Sequence, residues 1–316
     1  MKTLVILGNG FDLDLGWKTS FKDFYEAKRQ KFDQYNRLSY IAAMINGEYW
    51  YNLEGYLRKC LVDVKEDKVS ELNLFWQMCS NFFWEYLKEN INSFVTNRNS
   101  CAFSFLESIS NSVIFTFNYT NPFEREGFIE PEIHYVHGEL NRAYPGTQLQ
   151  LGVDKRVMDD NNLTKDGKLE VMVKSRNSSE TDNLLQGLKE AETIVFYGHS
   201  LSITDSDYFG LFFQYLIEGN FVPKNIYFVI YDRKGLQQLK ENMKVYGIDF
   251  DKLLFSKNTI SVVYTCEGNN SEKFQAFQNL VTLILESLVT EIVPIFDNFV
   301  TPFIEGFSAV KEILSG

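Results

Sequence analysis

The sequence predicts an α/β protein with a doubly wound, mostly parallel sheet, and three observations carry that prediction. The N-terminal run Leu4-Val5-Ile6-Leu7 is a buried β-type stretch that breaks at once into Gly8-Asn9-Gly10-Phe11-Asp12. Five more strand-like runs follow, over residues 112–117, 132–136, 193–197, 225–231 and 259–264, with helical patterns between them. Several of these runs end in polar residues: Asn118 to Asn121, His137-Gly138-Glu139 and Gly198-His199-Ser200. Strands interleaved with amphipathic helices are the pattern of a sheet covered on both faces, and ligands of such sheets bind beyond the carboxyl ends of the strands.

A chain of 316 residues with 45% hydrophobic and 16% aromatic residues has ample material for a packed core, so we read residues 1–316 as one α/β domain carrying a large helical insertion. Its 31 basic and 42 acidic residues leave a net charge of -11, which argues against an extended nucleic-acid surface, where phosphates demand a basic face. Cys60, Cys79, Cys101 and Cys266 stand far apart, without the pairing of a zinc site or a disulfide framework. No run reaches the ~20 apolar residues of a membrane span, and no signal pattern opens the chain. The expectation is a soluble, cytoplasmic protein.

Taken in order, the first strand turns through two glycines, and two readings of that turn stand level. Glycines that adopt positive φ would let backbone N–H groups approach a pyrophosphate or ribose, with Asp12 placed to hold a hydroxyl. A tight strand-to-helix turn would use the same residues, because the third glycine of a dinucleotide fingerprint is replaced by Leu13 and no P-loop lysine follows. Ser20 then caps a helix, with Asp23 three residues on and Phe21, Phe24 and Tyr25 behind it. Residues 36–110 are helical in pattern without strand punctuation. In this block Trp50-Tyr51-Asn52-Leu53-Glu54 opens one helix, and Leu72, Phe75, Trp76, Cys79, Phe82, Phe83, Tyr86 and Leu87 mark the inner face of a longer one. Glu54 is a candidate inward-facing acid, although a solvated or capping role is the commoner fate of such a residue.

The strand ending at Thr116-Phe117-Asn118 and the one ending at Val136-His137 bring Asn118 and His137 to positions equivalent to Gly8. Residues 140–180 are polar and aperiodic, with Pro145-Gly146 and Asp159 to Asn162, and read as a surface loop or lid. The fourth strand ends in Gly198-His199-Ser200-Leu201, with Asp205 and Asp207 leading a helix. The segment 271–316 reads as C-terminal helices that pack on the sheet or on a second subunit.

All three histidines, His134, His137 and His199, lie in or beside strand ends. Histidine titrates near neutrality and serves as acid or base; alternation along the third strand would place His134 and His137 on opposite faces. No G-x-S-x-G or H-E-x-x-H pattern occurs, so neither triad hydrolysis nor metal catalysis is indicated, and no metal is expected.

The ordered series Gly8-Asn9-Gly10-Phe11-Asp12, Trp50-x-x-Leu53-Glu54, Phe117-Asn118-Tyr119-Thr120, His137-Gly138-Glu139 and Gly198-His199-Ser200-Leu201 with its following acid resembles the motif series of the AbiH-type bacteriophage abortive-infection proteins. Those are in turn similar to the sirtuin-like, Rossmann-type NAD-binding fold. The resemblance spans about residues 1–230. It implies that Asn118 and His137 serve the ribose beside nicotinamide as catalytic residues, and that Gly8, Asn9, Gly10, Asp12, Gly198, His199, Ser200 and Leu201 bind the rest of NAD. Glu54, Thr116 and Asp205 are further candidates. Because the four-cysteine zinc module of the deacylase branch is missing and its Gln-Asn-x-Asp pattern reads Phe117-Asn118-Tyr119-Thr120, the implied activity is hydrolysis of NAD, as substrate, to nicotinamide and ADP-ribose in phage defence. A homo-oligomer and a phage-derived trigger are the implied partners. The alternatives are a non-catalytic nucleotide sensor and an assembly scaffold.

Overall fold

The structure is a computed structural model and describes residues 3–109, 112–140, 151–155, 157, 169, 172–174, 178–245 and 247–282. Six strands, β1 (Thr3–Leu7), β2 (Val113–Thr116), β3 (Glu132–Tyr135), β4 (Thr193–Tyr197), β5 (Asn225–Ile230) and β6 (Thr259–Tyr264), form one sheet in the order β3-β2-β1-β4-β5-β6. Every pairing is parallel. The strands at the centre, β1 and β4, are buried along their whole length, which is why they read as unbroken apolar runs.

Alternation of side chains splits the core in two. Val5, Leu7, Val195 and Tyr197 face one layer, and Leu4, Ile6, Ile194 and Phe196 face the other. The first layer is covered by the helices between β1 and β2, chiefly Phe21–Gln34, Leu53–Asp63, Val69–Asn90 and Cys101–Ser108. The second is covered by Ser178–Glu190, Ser206–Glu218, Arg233–Val245 and Phe250–Leu254. Helices on both faces of a parallel sheet make the doubly wound fold that the sequence predicts.

Local signals explain the helix ends. Ser20 accepts from the Asp23 amide at 3.1 Å while Asp23 accepts from the Ser20 amide at 3.3 Å, a reciprocal cap that satisfies two otherwise orphaned N–H groups. On helix Val69–Asn90 the residues Leu72, Phe75, Cys79, Phe83, Tyr86 and Leu87 are buried, which follows the three- and four-residue spacing of the sequence.

The stretch 140–180, expected as a surface loop or lid, is described only in part. Among its described residues Leu151, Val153, Val157, Leu169, Met172 and Lys174 are buried, and Val153 pairs with Val173 in a short parallel bridge. Its polar average conceals scattered apolar residues that obey no period. Residues 272–282 are helical; residues 283–316 of the C-terminal segment lie outside the described residues.

Register fixes what comes next. Leu7 is level with Thr116 and with Tyr197, and Thr116 is level with Tyr135. Four strands therefore end on one line, and the strand order reverses between β1 and β4, the crevice where such sheets bind ligands.

Candidate functional site

The site begins with the glycines where β1 and β4 end. Gly8 N donates to Tyr197 O and Gly10 N to Gly198 O, each at 2.9 Å, so the two loops are stitched together by backbone. A Cβ on Gly10 would lie 2.7 Å from Gly198 Cα, and one on Gly8 would lie 2.5 Å from His199 Cα. Close approach is thus what demands glycine here, and this corrects the expectation of positive φ: Gly8 is extended at φ -113, and in this junction the left-handed glycine is Gly198 at φ +63. The amides of Gly8 and Gly10, expected to face a phosphate, are engaged inside the protein.

Asp12, in the short helix Asn9–Asp14, is buried beneath this junction. It accepts from Asn118 Nδ2 at 2.8 Å and from Thr120 Oγ1 at 2.6 Å. Burial pushes its pKa up to about 7, against the lowering effect of the Thr120, Asn118 and Thr19 side chains. Asn118 Nδ2 also donates to Gly8 O at 3.1 Å. Both partners are acceptors, so the amide orientation is fixed by chemistry, and Asn118 has its Oδ1 left to offer to the cavity it lines. Thr116, one of the further candidates, lies behind this residue: its Oγ1 accepts from the Asn118 amide at 3.1 Å.

His137 and His199 are both buried and set edge-on to the Phe117 ring. His137 stands in the turn beyond β3, so strand alternation does not govern it. Its Nε2 is buried without a hydrogen-bond partner among the described residues. Burial first, and then the Lys174 charge, push its pKa down to about 3. His199 Nδ1 accepts from the Leu201 amide at 3.0 Å, and burial pushes its pKa down to about 4. Both rings are therefore neutral at neutral pH. Between them lies Asp205, with Oδ1 3.8 Å from His137 Nε2 and Oδ2 3.9 Å from His199 Nε2.

Sequence reasoning missed Lys174. Its Nζ, buried to 2% exposure, donates to Glu54 Oε2 at 2.6 Å, to Asp205 Oδ1 at 2.8 Å and to Thr204 Oγ1 at 3.3 Å. Burial would raise the Asp205 pKa, but Lys174 and the two histidines together bring it below the usual carboxylate range. Burial raises that of Glu54, with Lys174 opposing. Glu54 accordingly faces inward rather than serving as a solvated or capping acid, because a lysine 120 residues away is buried against it.

These groups line one cavity of about 360 Å³, at the small end of ligand pockets. Of the residues singled out in the sequence, Gly8, Asn9, Gly10, Asp12, Glu54, Asn118, His137, Gly198, His199, Ser200 and Asp205 border it. Leu201 does not: it is fully buried in the second core layer at φ +48. His134 lies elsewhere, between Glu132 and Glu180 and stacked on Phe115. Among the described residues no cluster of three or more His, Cys, Asp or Glu is set to hold a metal ion, and no helix is long and apolar enough to cross a membrane.

The groups that line the cavity include an amide presented as an acceptor, two neutral imidazoles and three carboxylates with one buried ammonium, beside Asn9, Asn52, Thr120, Ser200 and Ser202. That set suits a ligand rich in hydroxyl donors or carrying positive charge. No curated protein and no solved structure matches the chain. Residues 4–221, more than two thirds of its length and all four strand ends that build the cavity, match the family described as Bacteriophage abortive infection AbiH, and the chain belongs to that family.

Proposed function

We propose that this chain is an antiphage abortive-infection protein whose cavity binds NAD and hydrolyses it to nicotinamide and ADP-ribose. The observation that carries the reading is the meeting of Asn118, His137 and the Asp205 and Glu54 carboxylates at the switch point of a doubly wound sheet. In the reaction, the bond between ribose C1′ and the nicotinamide nitrogen breaks, and its electron pair neutralises the pyridinium. The oxocarbenium-like ribose is then captured by water, which forms the new C1′–O bond and releases one proton to solvent.

Each group has a role that its geometry supports. Asn118, with both Nδ2 hydrogens committed to Gly8 and Asp12, accepts from a ribose hydroxyl or from the attacking water. Neutral His137, with Nε2 unpartnered among the described residues, accepts a second ribose hydroxyl. Asp205 and Glu54 supply a negative field where positive charge develops, the kind of preorganised electrostatics that is effective in a water-poor site. Asn9 and Ser200, exposed at the cavity rim, face the remainder of the dinucleotide. A protein that consumes NAD must be restrained; a homo-oligomer and a phage-derived trigger complete the proposal.

A second reading, a nucleotide sensor without turnover, draws on one observation: burial leaves His137 a weak base. Nicotinamide release separates the two. Hydrolysis predicts release by the purified full chain, with Asn118→Ala and His137→Ala each lowering the rate by about 10²-fold or more. A sensor predicts saturable NAD binding with no product at high protein concentration.

A further inference from the structure

We propose that Lys174 is a further positioning residue of this site, whose ammonium holds the Glu54 and Asp205 carboxylates together on the cavity wall beside His137 and His199. The inference rests on the reading of the cavity as a site of NAD cleavage. An ammonium has three N–H donors, and Lys174 has an acceptor for each on Glu54, Asp205 and Thr204. The acceptors come from different parts of the fold: Glu54 from helix Leu53–Asp63, Thr204 and Asp205 from the turn after β4. Lys174 itself is brought in by the 172–174 segment, directly after the Val153–Val173 bridge.

The protein is shaped to admit this side chain. A Cβ on Gly152 would lie 2.2 Å from Met172 O, so glycine lets the 172–174 segment that carries Lys174 come close to this backbone, with Lys174 Cγ 3.2 Å from the same point. The Gly152 amide lies 3.4 Å from the other Glu54 oxygen. Buried ion pairs are poor sources of stability, since apolar replacements of similar volume are often as good or better. Three charged groups gathered on one cavity wall are therefore better explained by what they do for a ligand. Without the ammonium, two buried carboxylates cannot both stay ionised; with it, both face the point where a cationic glycoside gains ring charge. Because that charge peaks in the transition state, loss of Lys174 acts on kcat more than on KM.

The test uses the full chain with Lys174→Met, which keeps the stem and removes the charge, and Lys174→Ala, which opens space for an exogenous amine. Initial rates of nicotinamide release and thermal unfolding are measured for each. We expect Lys174→Met to lose 100-fold or more in kcat with KM within threefold of wild type. Propylammonium should restore Lys174→Ala at least tenfold, where propanol, matched in size and uncharged, does not. A Lys174→Met protein within threefold of wild-type kcat overturns the inference, as does rescue by propanol equal to that by the amine. Should Lys174→Ala fail to fold, Lys174→Met decides the question. Wild-type protein that releases no nicotinamide overturns the NAD-cleaving reading itself and the role of Lys174 with it, an outcome distinct from an active wild type with an indifferent Lys174.

Discussion

Asp12→Asn separates the charge of a buried carboxylate from its hydrogen bonds. Asp12 is 1% exposed and holds Asn118 and Thr120 from beneath. The variant is isosteric: its Oδ1 accepts from Asn118, and its amide donates to the Thr120 hydroxyl once that group rotates. What it removes is titration. Burial raises the Asp12 pKa from 3.8 to about 7, so between those values the folded state binds more protons than the unfolded one, and stability falls as pH rises. The loss is complete above the folded pKa and absent below the unfolded one; three pKa units correspond to about 4 kcal/mol. Urea unfolding from pH 5 to pH 8 should show Asp12→Asn gaining on wild type by about 2–3 kcal/mol across that window. Other titrating groups cancel in the difference. A difference that stays flat with pH would refute the account of Asp12 as a desolvated acid.

Further expectations concern the junction and the histidines. Gly198→Ala puts a Cβ 2.3 Å from the Phe11 amide nitrogen at φ +63 and should destabilise by about 2–5 kcal/mol, whereas Gly127→Ala, at φ +74 with nothing within 4 Å, should cost about 1–2 kcal/mol; chemical denaturation compares them. For His199 the sign is opposite to that of Asp12: its folded pKa is depressed to about 4, so its contribution is present above about pH 6.5 and is lost as pH falls toward the folded value. His199→Asn should therefore flatten the acid limb of the stability curve, by up to about 3 kcal/mol, in thermal scans at stepped pH.

The fold was legible because each layer of it leaves a local mark. Leu4–Leu7 and Thr193–Tyr197 are buried on both faces and so read as unbroken apolar runs, and the inner face of Val69–Asn90 repeats at helical spacing. The convergence of Gly8, Asn118, His137 and Gly198 follows from strand ends that share a register. The reason for a glycine is less legible than its presence: sequence suggests freedom of φ at Gly8 and Gly10, but contact with Gly198 and His199, nearly 190 residues away, sets the requirement. Lys174 left no signal. A buried lysine in a polar, aperiodic stretch resembles a solvated one, and its carboxylates lie 31 and 120 residues distant. For the same reason Glu54 could be suspected from its apolar neighbours but not assigned a partner.

The most direct measurement is nicotinamide release from NAD by the purified full chain, with Asn118→Ala and His137→Ala tested for native unfolding alongside. Wild type is expected to release nicotinamide, and each folded variant to lose about 10²-fold or more. Undiminished release by either folded variant, or NAD bound by wild type without cleavage, would contradict that expectation.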